Sequence, residues 1–453
     1  MKKKSQDMLH GPLLRNIIFY TVPIILTSLL QLLFNAADLV IVGRFCGSAS
    51  VAAVGATGSV TNLIVSLFIG LSVGAGVSVA HAVGSGDKQM LHRVVHTAIP
   101  VAVVSGAVLT VVGVCLARSV LTWMGTPQEV LPLSTVYMQI YFGGILFTMV
   151  YNFGAAILRA VGETQKPLIF LSIAGVLNVV LNVIFVTIFH MNVAGVALAT
   201  VISQGVSMVL VVGALVRRSD DCRLEFKKMR FYSAPLRKIV ALGLPAGIQG
   251  SLFGISNVMI QSSINSFGDV FLSGSAAAGN LESFVYVMLN AFHQTALNFT
   301  GQNAGAGQYK RVWKVLWLCI GCVTLLGIIA GGLMYLFAGQ LLPIYITDSQ
   351  EAISYGILRM SYVCLFYFLL GLMDVTTGVL RGLGSSLVPM VISIMGVCVL
   401  RIGWIATIFQ VPQYHTPECL FLSYPVSWTV TFICQIIACM VVYRNRVRRL
   451  QVY

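Results

Sequence analysis

Charged side chains are scarce in this chain of 453 residues: Asp, Glu, Lys and Arg together make up 9% of it. A soluble globular domain carries about 25% charged residues, so the composition excludes an ordinary water-soluble enzyme or binding domain. Apolar residues account for 57% of the sequence, and the mean hydropathy is +0.90. These values predict a protein that crosses a membrane many times.

The sequence also lacks the clusters of residues that carry out chemistry. It contains no grouping of His with Asp, no nucleophile motif and no set of metal ligands, so we expect neither enzymatic activity nor a cofactor. Ten cysteines are scattered along the chain. Cys319 and Cys322 have the spacing of a metal knuckle, but they lie in an apolar segment without a second pair. This context favours packing over a zinc site or a disulfide.

Apolar runs of roughly 20 residues, the length that crosses a bilayer as a helix, recur along the whole chain. They predict an all-α integral membrane protein with twelve transmembrane helices. The first segment lacks a short apolar core with a small-residue cleavage site, so we expect it to be retained as a span. The spans lie near 14–43, 54–82, 93–117, 133–158, 167–190, 193–216, 237–266, 276–302, 312–338, 352–380, 387–410 and 418–443.

The formal charge of +14 follows the predicted topology. With the N-terminus in the cytoplasm, all but four of the 28 Lys and Arg residues fall on the cytoplasmic side. This positive-inside bias predicts a multi-pass protein of the inner (plasma) membrane with both termini cytoplasmic, and it argues against a nucleic-acid partner. The clusters are Lys2–Lys4, Arg217–Lys238, Lys310–Lys314 and Arg444–Arg449; the exceptions are Arg44, Arg118, Arg359 and Arg401.

The chain repeats itself with an offset of 222 residues, the distance from Arg159 to Arg381. Pro23 corresponds to Pro245 at the same offset. Each repeat holds six spans, so both halves have the same orientation and form a parallel repeat. We predict an N-terminal six-helix lobe at 1–216, a cytoplasmic basic linker at 217–238 and a C-terminal six-helix lobe at 239–453. Other matched landmarks are Asn35 with Asn257 and Gly84–Gly86 with Gly305–Gly307.

Asp38 is the most informative single residue, because it lies near the far end of the first apolar segment. A carboxylate in hydrocarbon is costly unless it is paired, hydrated or protonated, and it is rarely there without a use. Repeated bundles that contain intramembrane charge are typical of carriers, and this combination predicts a transporter. A static scaffold or a membrane enzyme that arose by duplication is the alternative.

The chain contains short motifs in a fixed order: Pro23, Asn35–Asp38 with Gly43-Arg44, Ala53–Ala56, Gly84–Asp87 and Leu158–Thr164. Together these motifs resemble the multidrug and toxic compound extrusion (MATE) family, over nearly the whole chain. The resemblance implies two six-helix lobes that form a V, and export of organic, often cationic, compounds in exchange for inward H⁺ or Na⁺. The implied partners are small organic substrates, H⁺ or Na⁺ and the lipid bilayer, and we expect a monomer.

The resemblance also implies an ion-coupling site in the N-terminal lobe, matched here by Asp38, Asn178, Asn182 and Thr200. Asn178 and Asn182 are four residues apart and share a helix face. One carboxylate, two amide oxygens and a hydroxyl suit Na⁺ by ligand type, whereas the same set would also tune proton release from the acid. Some relatives have a carboxylate where Asn182 stands, so here Asp38 is the only acid of the set.

The repeat predicts that this site is asymmetric. The partners of Asp38, Asn178 and Asn182 at the 222-residue offset are Ile260, Leu400 and Trp404, none of which is a suitable ligand. Another branch of the family has an acid in span 7 where this chain has Phe253, so that branch's cation site is not expected here.

Further polar and aromatic residues in the spans are candidates for substrate contact or gating. Glu282 and Arg401 are both placed in the outer half of the membrane and are expected to form a structural ion pair, with a substrate-facing Glu282 as the alternative. Asp374 and its repeat partner Asn152 each stand seven residues before an Arg and are read as a cytoplasmic gate or structural network, with direct coupling by Asp374 as the alternative. The remaining candidates are Asn35, Tyr137 and Tyr141.

Proline and glycine mark flexible or closely packed points in the predicted helices. Pro23 is a candidate hinge on the helix of Asp38, although proline is common in membrane helices. For Gly70, Gly74 and Gly76 we favour close helix packing over bending.

The main hypothesis is therefore a secondary antiporter that exports hydrophobic organic cations by alternating access. A lipid-linked oligosaccharide flippase is the alternative, although it is expected to carry more intramembrane Arg or Lys. A passive channel is a third reading. The sequence leaves open the substrate, the choice between H⁺ and Na⁺, and the roles of Glu282, Asp374 and Arg401.

Overall fold

The computed structural model describes residues 6–347 and 349–451, and within these ranges the chain is helical, without strands. The predicted all-α class is confirmed. The basic cluster Lys2–Lys4 lies outside the described residues.

The first half contains seven helices, and the last of them leads into the linker. Helix α6 continues into a π-helical turn at Ile184–Ile188, and a short 3₁₀ turn lies in the linker at Phe226–Lys228. The helices are α1 (Leu13–Phe45), α2 (Ser48–Ser85), α3 (Lys88–Trp123), α4 (Leu131–Gly143), α5 (Ile145–Ala160), α6 (Gln165–Val183) and α7 (Asn192–Val216).

The second half contains nine helices, several of them short. A π-helical segment at Ile394–Val399 joins α14 to α15. The helices are α8 (Ser233–Asn265), α9 (Asp269–Gly305), α10 (Tyr309–Leu336), α11 (Ala338–Leu341), α12 (Gln350–Val363), α13 (Tyr367–Gly382), α14 (Leu387–Ser393), α15 (Leu400–Ala406) and α16 (Pro417–Gln451).

Nine described segments are long and apolar enough to cross a membrane, and eleven are if each bent helix pair counts as one span. The pairs α4–α5 and α12–α13 bend by 46° and 44°. The span predicted at 276–302 falls within α9, which is 37 residues long but is not among these segments. Helix α9 has a lower hydropathy because it carries many polar side chains, among them Glu282, His293 and Asn303.

The internal repeat is visible in the backbone. Helices α5 and α13 follow the two bends and begin at Ile145 and Tyr367, 222 residues apart as predicted. Glycines with positive φ also recur in pairs, where the chain turns between helices and a side chain would be strained. The pairs are Gly47 with Gly268 (φ 86° and 93°), Gly86 with Gly307 (69° and 70°), and Gly162 with Gly384 (89° and 85°).

The described chain separates into two compact units. The first contains Val22–Ser251 with a short stretch that ends at Asp7; the second contains Met8–Thr21 and the chain from Leu252 onward. The lobes predicted at 1–216 and 239–453 differ from these units, because the start of α1 belongs to the second unit and the first part of α8 to the first.

Close packing explains the assignment of α8. Gly74 of α2 lies so near α8 that a Cβ atom added to it would be 2.2 Å from the carbonyl oxygen of Ile239 and 2.7 Å from the nitrogen of Gly243. A Cβ on Gly70 would lie 2.2 Å from the nitrogen of Gly247. The preference for packing over bending is confirmed for Gly70 and Gly74.

The beginning of α1 is held in the second unit by polar and aromatic contacts with α9. The hydroxyls of Thr21 and Thr295 are 2.8 Å apart, and both are buried. The ring of Tyr20 meets the ring of Phe299 edge-on, with centroids 5.3 Å apart. These contacts place the start of α1 among the helices of the second unit.

The linker 217–238 is anchored to the first unit, although most of its charged residues are exposed. Cys222 and Leu224 are buried in the first unit's apolar core. The Glu225 amide donates to His96 Nε2 at 3.0 Å, and Arg218 lies 2.8 Å from the Glu163 carboxylate. The Arg218 guanidinium also pairs with Asp220 and holds the pKa of that carboxyl below its usual range. The sequence predicted a cytoplasmic basic linker and did not foresee these contacts.

Candidate functional site

The four residues predicted to couple ions meet in one hydrogen-bonded chain inside the first unit. Asn182 Nδ2 donates a hydrogen bond to Asp38 Oδ1. The same nitrogen lies 3.3 Å from Asn178 Oδ1, and Asn178 Nδ2 donates to Thr200 Oγ1 at 3.3 Å. Three helices, α1, α6 and α7, therefore contribute to a single polar cluster, which we call the Asp38 cluster (Asp38, Asn178, Asn182 and Thr200).

One buried atom of the Asp38 cluster has no hydrogen-bond partner in the described part of the chain. Asn182 is fully buried, and its Oδ1 atom accepts no hydrogen bond. Buried polar atoms are nearly always hydrogen-bonded, so an unpaired acceptor here points to a ligand or a proton donor. The oxygen atoms of the cluster, from a carboxylate, two amides and a hydroxyl, are of the type that hard cations prefer. Within the described chain, no group of three His, Cys, Asp or Glu side chains forms a candidate metal site.

The surroundings of the Asp38 cluster are apolar. Ile41 and Val42, the next turn of α1, are buried with Val186 and Val196, and Tyr137 packs against this group. In such surroundings a charge interacts more strongly with its neighbours than it does in water. The apolar packing on this side therefore strengthens the interaction of an ionised Asp38 with its hydrogen-bond partner.

The other predicted residues of the first unit lie outside the hydrogen-bonded chain. Asn35, one turn before Asp38, is exposed. The rings of Tyr137 and Tyr141 stack with centroids 6.4 Å apart. Asn152 donates to the carbonyl of Thr148 in its own helix at 2.8 Å.

Helix α1 is continuous through Pro23, from Leu13 to Phe45. The carbonyl oxygen of Pro23 accepts a hydrogen bond of 2.7 Å from Thr27 Oγ1, one turn later in the same helix. The hinge at Pro23 stays a prediction.

The expected ion pair between Glu282 and Arg401 is wrong. Glu282 pairs instead with Arg359 of α12, which donates from Nε and Nη2 to the two carboxylate oxygens at 2.9 and 2.8 Å. Arg359 Nη1 donates to Ser275 Oγ at 2.8 Å. The sequence placed Arg359 inside a span, seven residues after its predicted outer end at 352. Its depth therefore matched that of Glu282, but only the rotation of α12 brings the two side chains together.

Arg401 has different neighbours. Its Nε donates to Ser427 Oγ at 2.7 Å, and the guanidinium lies over the ring of Tyr424 at 4.3 Å and that of Trp428 at 5.6 Å. These three partners all belong to α16.

Asp374 lies in a polar network of the second unit. His293 Nδ1 is 2.7 Å from the Asp374 carbonyl oxygen, and His293 Nε2 is 3.4 Å from Arg381 Nη1. The imidazole thus joins Asp374 to the Arg that follows it two turns later. The predicted role of this network as a gate stays a prediction.

These features define a class of protein. A helical chain built from two repeats, with many apolar spans and a polar cluster inside one repeat, has the architecture of a multi-pass membrane transporter. The MatE family model matches residues 23–184 and again 245–405. The chain therefore belongs to the MATE family of transporters, and the two matches begin at Pro23 and Pro245, as the predicted repeat requires.

Known proteins agree with this assignment. The chain is 27% identical over 398 residues to the probable multidrug resistance protein YpnP of Bacillus subtilis (strain 168), covering 88% of this chain and 89% of that protein. It is 26% identical over 429 residues to the probable multidrug resistance protein YoeA of the same organism, covering 92% of each. A crystal structure of MATE in complex with MaL6 superposes with a TM-score of 0.92 at 21% identity, covering 99% of this chain and 100% of that one. The predicted two-lobe MATE fold is confirmed.

Proposed function

We propose that this chain is a secondary antiporter that exports hydrophobic, cationic organic compounds in exchange for H⁺ or Na⁺. The observation that carries the proposal is the Asp38 cluster, with its buried, unpaired Asn182 oxygen. The names of YpnP and YoeA support an organic, drug-like cargo. A flippase for lipid-linked oligosaccharides is not favoured, since the family and these relatives support drug export.

The Asn182 amide can hydrogen-bond to Asp38 both when this acid is ionised and when it is protonated. As it stands, its NH₂ group faces the Asp38 carboxylate and the Asn178 oxygen, which fits an ionised acid. Once Asp38 is protonated, the acid becomes a donor, and a rotated amide would offer it Oδ1 as the acceptor. With Na⁺, the carboxylate and amide oxygens would serve as ligands.

Neutralising Asp38 is the coupling step of the proposed cycle. A cationic cargo favours the state with ionised Asp38, whereas H⁺ or Na⁺ favours the neutralised state. Because each ligand stabilises a different state, the two oppose one another, which is the thermodynamic requirement for exchange. In this scheme Pro23 lets α1 change its packing when the charge changes. We place the protein in the inner membrane as a monomer with both termini cytoplasmic.

Dye efflux from proteoliposomes tests the proposal. An imposed pH gradient and, separately, an imposed Na⁺ gradient identify the coupling ion. We expect Asp38→Asn to fold but to lose ion-driven efflux, because the amide takes up no proton and carries no charge to neutralise. Asp269→Asn, which changes an exposed acid at the start of α9, is the matched control and should retain full efflux. Undiminished ion-driven efflux by Asp38→Asn would refute the coupling role.

A further inference from the structure

A second polar cluster lies among the helices of the second unit, remote in sequence from the Asp38 cluster. It contains two guanidinium groups, Arg359 and Arg401, and one carboxylate, Glu282. Glu282 is fully engaged by Arg359 through two hydrogen bonds. The positive charge of Arg401 is therefore not balanced by this acid.

Arg401 has an unused donor. Its side chain is deeply buried, with 3% of the residue exposed, and its Nη2 atom has no hydrogen-bond partner. Across the described part of the chain, no carboxylate lies within ion-pair distance of it. A guanidinium in this position has both the charge and the free N–H groups to bind an oxyanion in a forked geometry.

Two aromatic rings lie against the Arg401 guanidinium, and two more lie beside these rings or the neighbouring Arg359. Tyr424 and Trp428 are four residues apart on one face of α16, and both lie against the Arg401 guanidinium. The ring of Tyr367 stacks on Trp428 with centroids 5.5 Å apart. Phe421, one turn earlier on α16, lies 5.8 Å from the Arg359 guanidinium. Flat apolar walls beside a cation complement a ligand that has an aromatic ring and an anionic group.

The contacts between Arg401 and the rings are also compatible with a purely structural role. Ring faces attract a cation, but they leave its in-plane N–H groups without acceptors. Apolar residues of similar volume often replace buried charged residues without loss of protein stability. A buried Arg without an acidic partner is therefore expected to contribute little to the stability of the fold. Binding an anion is the role that uses the free donor, the net charge and the ring faces together.

We propose that Arg401, with Tyr424, Trp428 and Tyr367, forms a binding site for aromatic compounds that carry a carboxylate or phosphate. The site would hold the anionic group of a cargo molecule, and in this respect the proposal rests on the proposed function. Arg401 holds the oxyanion, Ser427 orients the guanidinium through Nε, and the rings receive the aromatic part.

Equilibrium binding to the purified full-length protein tests this proposal without any ion gradient. The probes are 2-naphthoate, 2-naphthyl phosphate, the neutral 2-naphthamide and cationic 2-naphthylmethylamine, titrated by isothermal calorimetry. We expect one or both of the anions to bind, and the amide to bind much more weakly. Binding of naphthoate alone or of the phosphate alone identifies the oxyanion that the site takes. Equal binding of the anions and the amide would overturn the proposal.

Variants assign the binding to Arg401. Arg401→Gln should weaken anion binding by about 30-fold or more, since a buried charge pair is lost. Arg401→Lys, which keeps the charge without the planar fork, should retain part of the preference for anions over the amide. Arg118→Gln, at an exposed position of the first unit, is the matched control and should bind as the wild type does.

Thermal unfolding of the ligand-free protein separates binding from a structural role. We expect Arg401→Gln to unfold at the wild-type temperature or above it, and naphthoate to stabilise only the chains that retain Arg401 or Lys at this position. A strongly lowered unfolding temperature together with unchanged anion preference would overturn the proposal. Absence of ion-driven dye efflux in the wild type would instead count against the antiport mechanism, and it leaves the binding result intact.

Discussion

Glu282 and Arg359 show how a buried charge is accommodated inside the second unit. The carboxylate is 4% exposed and the guanidinium 13%, and two parallel hydrogen bonds join them. Such a pair contributes little against an apolar replacement, but removal of one partner leaves an uncompensated buried charge. The pair is therefore sensitive to single substitutions.

We expect Glu282→Ala to destabilise the protein by about 3–5 kcal/mol, because it leaves the buried Arg359 guanidinium without an acidic partner. The measurement is thermal or denaturant unfolding in detergent. The double variant Glu282→Ala/Arg359→Met removes both charges and should recover most of the lost stability. A single variant as stable as the wild type, or a double variant no better than the single, would contradict a structural ion pair.

The Asp38 cluster and the ion pair differ in how well the sequence anticipates them. Asp38 is recognisable from the sequence alone as an acid inside an apolar segment. The resemblance to a family supplies Asn178, Asn182 and Thr200, and the two asparagines share a helix face because they are four residues apart. The predicted partner of Glu282 was wrong because hydropathy gives the depth of a residue in the membrane but not the rotation of its helix. Arg359 and Arg401 both lie within spans, and only the packed structure shows which guanidinium reaches the carboxylate.

At the scale of helices, backbone contact between α2 and α8 depends on glycine. A Cβ atom on Gly74 would lie 2.2 Å from the Ile239 carbonyl oxygen, too close for any side chain without movement of the backbone. Gly213 of α7, in contrast, has nothing within 4 Å of such an atom. The two positions provide a matched pair for substitution.

We expect Gly74→Ala to destabilise the protein by about 1–3 kcal/mol, the usual cost of overpacking, because α2 and α8 must separate. Gly213→Ala should be neutral or slightly stabilising, since alanine favours the helix and meets no neighbour. Unfolding temperatures of the two purified variants give the comparison. If both variants behave alike, close α2–α8 contact does not contribute to stability.

The observed helix boundaries agree closely with the predicted spans where apolar runs are long. The agreement is poorer where polar residues interrupt these runs. Helix α9 is the clearest case: its buried amides and hydroxyls lower its hydropathy, yet it is among the longest helices. The bends after α4 and α12 were not foreseen. Their signal was present in Gly143 and Gly144 for the first bend, but the second bend has no glycine at the equivalent place.

At the scale of the whole molecule, the repeat and the family assignment support the proposed carrier mechanism over a passive pore. Each repeat has its own bend and turn glycines, and internal repeats are typical of transporters that alternate between two states. A channel requires no such alternation.

We expect counterflow in reconstituted vesicles: unlabelled substrate on one side should accelerate uptake of labelled substrate from the other. In alternating access, the binding site returns to the first side of the membrane faster when it carries a substrate molecule. Exchange of substrate is therefore faster than net flux. Vesicles with Asp38→Asn protein show whether exchange persists when ion coupling is removed. Uptake that is independent of substrate on the opposite side would indicate a passive pore.

The sequence halves and the compact units divide the chain at different places, and this difference bears on biosynthesis. The first unit extends through α8 to Ser251, and the second includes Met8–Thr21. During translation, Gly70 and Gly74 of α2 have no packing partner until α8 has left the ribosome, and α8 is the seventh span if the bent pair α4–α5 counts as one. Fragments made by splitting the gene within the linker would each lack a segment of their own unit, so stable assembly should require that both pieces be made together.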